Sequence, residues 1–161
     1  MKLSVIGISH RTAPVEVRET CALTGDLTAK FLQAAHTENV FEEALLLDTC
    51  NRTELYFLAA GAGDCMENFL THIKTLKGLD AAPDKSAFYY HQGQRAIEHL
   101  FTVAAALDSQ IVGEHQILGQ LKDAYKLASE ERTARFLLNK LMHRAFRVGK
   151  RTQNETQLGR G

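Results

Sequence analysis

The sequence predicts an α+β domain: a ferredoxin-like split βαβ sheet, βαββαβ in chain order and mostly antiparallel, with added C-terminal helices. Three observations carry this expectation. Up to residue 92, short apolar runs of strand character alternate with segments of helical spacing in the order strand, helix, strand, strand, helix, strand. Beyond residue 93 every apolar run recurs at helical spacing. The composition, 45% hydrophobic and 24% charged with only 2 prolines, suits a folded domain rather than a disordered chain.

Each element has a local reason. "KLSVIGIS" is short, rich in Val and Ile, and reads as a buried strand interrupted by Gly7. In "SHRTAPVEVRET" the chain turns into a helix, and Pro14 suits a first turn that has no use for its N–H. "GDLTAKFLQAAHTE" continues helical, with Asp26 as the expected cap and Leu27, Phe31 and Ala34 or Ala35 on one face. "EEALLLDT" and "TELYFLAA" read as two strands of a hairpin. "GDCMENFLTHIKTLKG" places Met66, Phe69, Leu70 and Ile73 at helical spacing and stops at Gly78. "KSAFYYHQG" is a short aromatic strand. The sheet is expected to carry its helices on one face. "QRAIEHLFTVAAAL", "QILGQLKDAYKLASEE" and "ARFLLNKLMHRAFRVGKR" are then three further helices, and "TQNETQLGRG" reads as a linker. The expected organisation is a sheet subdomain over 1–92, a helical part of the same domain over 93–152, and the start of a linker over 153–161.

No run approaches the roughly 20 apolar residues of a membrane span, and the N-terminus lacks a signal-peptide pattern. Cys21, Cys50 and Cys65 are odd in number and show no Cys-x-x-Cys spacing, so neither a disulfide framework nor a metal site is expected. A reduced, cytoplasmic protein fits. The net charge is zero, but residues 1–80 carry 7 basic and 11 acidic side chains, and 81–161 carry the remaining 12 and 8. The surplus gathers at Arg132, Arg135, Lys140, Arg144, Arg147, Lys150 and Arg151, which suits either an anionic partner or a solvated helix face.

Chemistry concentrates at "LLLDTCNRTELYF". Cys50 sits beside Arg52 at the expected hairpin tip, with Thr49, Asn51 and Thr53 around it. A cysteine is nucleophilic only as thiolate, which nearby positive charge favours. Arg52 either supplies that field or clamps a carboxylate with its planar fork. The bland reading is a polar hairpin whose small cysteine simply packs, as Cys21 and Cys65 are expected to do. In "LDSQIVGEHQILGQ" the polar residues Asp108, Ser109, Gln110, Glu114, His115 and Gln116 interrupt an apolar stretch, as in a pocket wall or a capped helix connection. Neither Gly-x-Gly-x-x-Gly nor the phosphate-loop spacing occurs. His99 lies at the edge of an apolar stripe and becomes a partner for Cys50 if Cys50 is a nucleophile. His10 is a weaker candidate.

Together these segments resemble the glutamyl-tRNA reductase family. "GISHRTAPVEVRE" is similar to its opening motif, "LDTCNRTELY" to its cysteine motif, "LDSQIVGEHQILGQLKDAY" to its central motif and "GKRTQNETQLGRG" to its fourth. The four occur in the family's order and span the chain. Two places depart from it: Thr152, Gln153 and Asn154 replace a usual Val-Arg-Thr, and Asp48 stands where many members have Ser.

The resemblance implies the N-terminal catalytic domain of a longer enzyme, an NADPH-dependent oxidoreductase that makes glutamate-1-semialdehyde for tetrapyrrole (5-aminolevulinate, haem) synthesis. It implies Cys50 and His99 as catalytic residues, with Thr49, Arg52, Ser109, Glu114 and Gln116 around the substrate, glutamyl-tRNA(Glu). NADPH is expected on a Rossmann domain outside this chain, with no metal. A homodimer through a further C-terminal domain and glutamate-1-semialdehyde aminomutase are the implied protein partners. The alternatives are an RNA- or partner-binding domain with a structural Cys50, and a thiol redox sensor.

Overall fold

A computed structural model describes residues 2–61, 63–106 and 116–160, with side chains through residue 155. Four strands, β1 (Ser4–Ser9), β2 (Phe41–Asp48), β3 (Arg52–Ala59) and β4 (Tyr89–Gln92), form one sheet in the order β2-β3-β1-β4. Every neighbouring pair is antiparallel. Helices α1 (Val15–Cys21) and α2 (Asp26–Thr37) connect β1 to β2, and α3 (Cys65–Lys77) connects β3 to β4. This is the expected split βαβ order. Helices α4 (Gln94–Ala104), α5 (Gln116–Glu130) and α6 (Phe136–Arg160) follow.

Strand register assigns the faces. Ser9, Gly7 and Val5 of β1 lie opposite Arg52, Glu54 and Tyr56 of β3, and side chains alternate along each strand. Leu55 and Phe57 therefore point to the other face, where Phe57 meets Phe41 edge-on at 5.3 Å between ring centres. Phe31 of α2 continues the cluster to Phe41 at 6.2 Å and to Phe69 of α3 at 5.4 Å. Phe31, Phe57 and Phe69 are fully buried, each contributing roughly 1.5–3 kcal/mol of hydrophobic burial.

The opposite face differs from the one-sided sheet that the sequence suggests. His99 of α4 packs there against Tyr56 and Tyr89, with ring centres 6.4 and 5.3 Å away. The Glu43 carboxylate of β2 accepts the backbone N–H groups of Arg135, Leu137 and Leu138 at 2.6, 3.1 and 3.0 Å, which fixes the start of α6. Residues 52–58 of β3 are consequently buried without alternation. The expectation of helices on one face missed this cover because it comes from helices distant in sequence.

Three smaller differences have local causes. Gly25, not Asp26, caps α2; Asp26 is its first helical residue and places a negative charge at the positive helix end. The aromatic strand begins only at Tyr89, because Asp84 caps a 3-10 turn over Lys85–Ala87 by accepting the Ser86 N–H at 2.9 Å. α6 runs on through 153–160, where the sequence suggested a linker. No helix among the described residues is long and apolar enough to cross a membrane.

Candidate active site

The β2–β3 hairpin closes over only Cys50 and Asn51. The Thr49 N–H donates to the Arg52 carbonyl at 2.8 Å, and the Thr49 hydroxyl accepts the N–H groups of Asn51 and Arg52, both at 3.2 Å. Neither Cys50 nor Asn51 has a positive φ, so this is not the usual two-residue hairpin turn. The Thr49 side chain supplies the acceptor that closes it. Two outside groups hold the tip: His10 donates its N–H to the Asn51 carbonyl at 3.0 Å, and Arg18 of α1 donates Nη1 to the Cys50 carbonyl at 2.9 Å. Cys50 is left exposed on a restrained backbone. Cys21 and Cys65 are buried, and burial pushes both thiols up from their ordinary value, away from the reactive thiolate.

Cys50 opens on a cavity of about 430 Å³ walled by Val15 and Arg18 of α1, Asp48 and Arg52 of the hairpin and Gln120 of α5. Gln116 and Ile117, at the start of α5, close the other side of the turn. Thr49, Cys50, Arg52 and Gln116, four of the residues expected from sequence, thus come together. Ser109 and Glu114 lie outside the described residues.

His99 is not in either wall. It reaches the site through Glu54. The fully buried Glu54 carboxylate is a common acceptor for Arg52 Nη1 at 3.3 Å, the Tyr56 hydroxyl at 2.8 Å, the Tyr89 hydroxyl and His99 Nε2. Burial by itself would push this carboxyl up. The hydrogen bond and charge of His99, then Arg52, then the Tyr89 hydroxyl outweigh it and hold the group at about 2. Tyr56 responds oppositely: burial, then the Glu54 charge, raises its hydroxyl well above the ordinary value.

Gly7 makes this convergence possible. It faces Glu54 on one side and Tyr89 on the other. A Cβ there would meet the Tyr89 hydroxyl at 2.7 Å and Glu54 Cγ at 2.8 Å. The bare backbone of β1 is the floor over which β3 and β4 share one carboxylate. Glu54 therefore links the cavity arginine to His99, and Arg52, 2% exposed, presents a guanidinium already held from behind.

Two contributors escaped the sequence reading. Arg18 looks like an ordinary helix-surface arginine, and Glu54 like the polar letter of an alternating strand. Only the motif company of each was a signal.

Residues 6–156 match the family described as glutamyl-tRNAGlu reductase, N-terminal domain. A glutamyl-tRNA reductase from Rubrobacter xylanophilus is 44% identical over 159 residues, which is 99% of this chain and 37% of the relative. One from Syntrophotalea carbinolica is 45% identical over 161 residues, covering 98% of this chain and 36% of the relative. The chain thus spans little more than a third of the length of these curated relatives. The solved glutamyl-tRNA reductase from Methanopyrus kandleri superposes with a TM-score of 0.72 at 30% identity, over 95% of this chain and 34% of that one. With the profile, the relatives and the fold in agreement, the chain belongs to the glutamyl-tRNA reductase N-terminal domain family.

Proposed function

We propose that this chain is the acyl-accepting half of an NADPH-dependent glutamyl-tRNA reductase, the enzyme that opens tetrapyrrole synthesis. The observation that carries the reading is Cys50: exposed, fixed at a turn pinned by Thr49 and Arg18, and open to a 430 Å³ cavity with Arg52 in its wall. The Cys50 thiolate attacks the ester carbonyl of the glutamyl group. A C–S bond forms, the C–O bond to the terminal ribose breaks, and the ribose oxygen leaves and takes up a proton. The product is a thioester on Cys50 and free tRNA. The substrate's side-chain carboxylate pairs with Arg52, while Thr49 and Gln116, with Ser109 and Glu114, complete the polar contacts. His99, tied to Glu54, orients Arg52 from behind, and its further role in attack follows from the family.

Held outside this chain, NADPH would supply hydride to the thioester carbonyl, and breaking of the C–S bond would return the Cys50 thiolate and release glutamate-1-semialdehyde. The sequence has no Gly-x-Gly-x-x-Gly turn, and no reductive step is built from this chain's residues. A cytoplasmic location, a homodimer through a C-terminal domain and docking of glutamate-1-semialdehyde aminomutase belong to the same reading. Lys140, Arg144, Arg147 and Arg151, spaced along the exposed side of α6, suit the phosphates of the tRNA body.

The test is a trap. The chain is mixed with tRNA carrying labelled glutamate and quenched in acid, and the peptide containing Cys50 is analysed. The expected result is a hydroxylamine-sensitive glutamyl adduct that Cys50→Ser abolishes. tRNA binding without any adduct would favour the RNA-binding alternative, and an adduct on Cys21 or Cys65 would overturn the assignment.

A further inference from the structure

Helices α5 and α6 lie side by side, and the seam between their outer faces carries rings and positive charge together. Tyr125 of α5 and His143 and Phe146 of α6 meet edge to face. Tyr125 is 5.5 Å from His143 and 5.7 Å from Phe146 between ring centres, and His143 is 6.1 Å from Phe146. The Tyr125 hydroxyl donates to Asn139 Oδ1 at 2.8 Å, which ties the cluster across the seam. Lys122 Nζ stands 6.0 Å from the centre of the Phe146 ring. Both helices already reach the core through Leu121, Met142 and Ala145, all fully buried, whereas Tyr125 and Phe146 are half-buried and His143 is exposed.

Cations frame the cluster. Lys122 and Lys126 flank Tyr125 at helical spacing, and Lys150 follows His143 and Phe146 on α6; all three are exposed. Lys140 and Arg147, beside His143, continue into the basic stripe of α6. The carboxylates of the two helices stand elsewhere: Asp123 lines the cavity on the far side of α5, Glu130 ends that helix, and Glu155 pairs with Arg151 at 3.1 Å. An exposed ring among cations suits a polyanion that also has flat faces, which describes an unpaired nucleic acid strand. An acidic peptide would use the cations and leave the rings idle.

The same α5 walls the Cys50 site through Gln116 and Gln120. Gly119 lies between that side of the helix and Lys122, and no described atom comes within 4 Å of the place its Cβ would take. Packing among the described residues thus gives no reason for a poor helix former here. The bare stretch lets a strand pass from the cavity to the seam over a helix about 10–12 Å across.

Resting on the acyl-transfer reading, we propose that the α5–α6 seam binds the unpaired 3′ end of the tRNA. Its phosphates lie among Lys122, Lys126 and Lys150, and one base stacks on His143. The cavity then receives its ester from a strand that is already held.

The experiment measures binding of uncharged tRNA(Glu), whole or with its unpaired 3′ nucleotides removed. The proteins are the native chain, His143→Ala and Lys74→Gln, the last a control that removes an exposed charge from α3. The His143 side chain is exposed and Tyr125 keeps its bond to Asn139, so His143→Ala should melt as the native chain does. It is expected to bind whole tRNA roughly tenfold more weakly and trimmed tRNA as the native chain does, while Lys74→Gln matches the native chain on both. Lys122→Gln should flatten the salt dependence by about 0.7 in logarithmic slope on whole tRNA only. An equal loss on whole and trimmed tRNA overturns the proposal, and so does no loss. Polyglutamate binding with the same sensitivity to His143→Ala also overturns it, in favour of an acidic protein partner. The trapping assay judges the underlying reading separately: a tail-dependent loss without acylation of the native chain supports the seam and overturns acyl transfer. Acylation without a tail-dependent loss overturns the seam alone.

Discussion

Replacing Glu54 by Gln should change how the stability of this domain depends on pH. The Glu54 carboxyl is held at about 2 instead of its ordinary 4.5. At 1.36 kcal/mol per pH unit, that difference is about 3 kcal/mol of stability carried by the ionised form. The folded value is depressed, so this stability is fully present above 4.5 and is lost as the pH falls toward 2. Glu54→Gln has no such proton to bind. It also sets an amide among Arg52, Tyr56, Tyr89 and His99, all of which point donors at it. Near neutral pH the variant should therefore be less stable by about 3 kcal/mol, the stability that the ionised form carries. Urea denaturation from about pH 6 to about pH 2.5 should show the gap between the two proteins narrowing by about 3 kcal/mol. Asp48 and Glu38 titrate in both proteins and cancel in the difference. A gap constant across that range refutes the reasoning. So does a carbon-13 titration of the native Glu54 carboxyl with its midpoint at or above 4.5, a measurement that holds even if the variant does not fold.

Two further outcomes follow from the same contacts. Gly7→Ala drives a methyl against the Tyr89 hydroxyl and Glu54 Cγ, both fixed in the network; a loss of about 1–3 kcal/mol is expected from overpacking, measured by thermal melting, and an unchanged midpoint would show that the floor of the network yields. Arg18→Ala removes the donor to the Cys50 carbonyl; acylation in the trapping assay should slow by roughly tenfold while the melting temperature barely moves, and an unchanged rate would show that Thr49 and His10 hold the turn without it.

Local patterns carried much of this protein. Apolar spacing placed most of the described helices and strands to within a few residues, the far end of α6 and the 3-10 turn before β4 excepted, since a buried stripe must recur at the period of its own backbone. Their order implied the split βαβ sheet. The hairpin with Cys50 at its tip was legible because two apolar runs flank a short polar insert. Asp26 failed as a cap because its residue type suits two neighbouring roles.

The second covered face was not legible, and the site depends on it. Glu54 was not singled out from sequence, yet it is 0% exposed and shared by donors from β3, β4 and α4. Arg18 and Cys50 are far apart in sequence and meet only because α1 crosses the hairpin tip. Glu43 likewise caps a helix that begins more than ninety positions later. The sequence by itself determined the elements, the candidate cysteine and the family, because these are written in neighbouring letters. The tertiary structure decided which charges are buried together, because a carboxylate keeps its charge in the interior only when donors from distant segments converge on it.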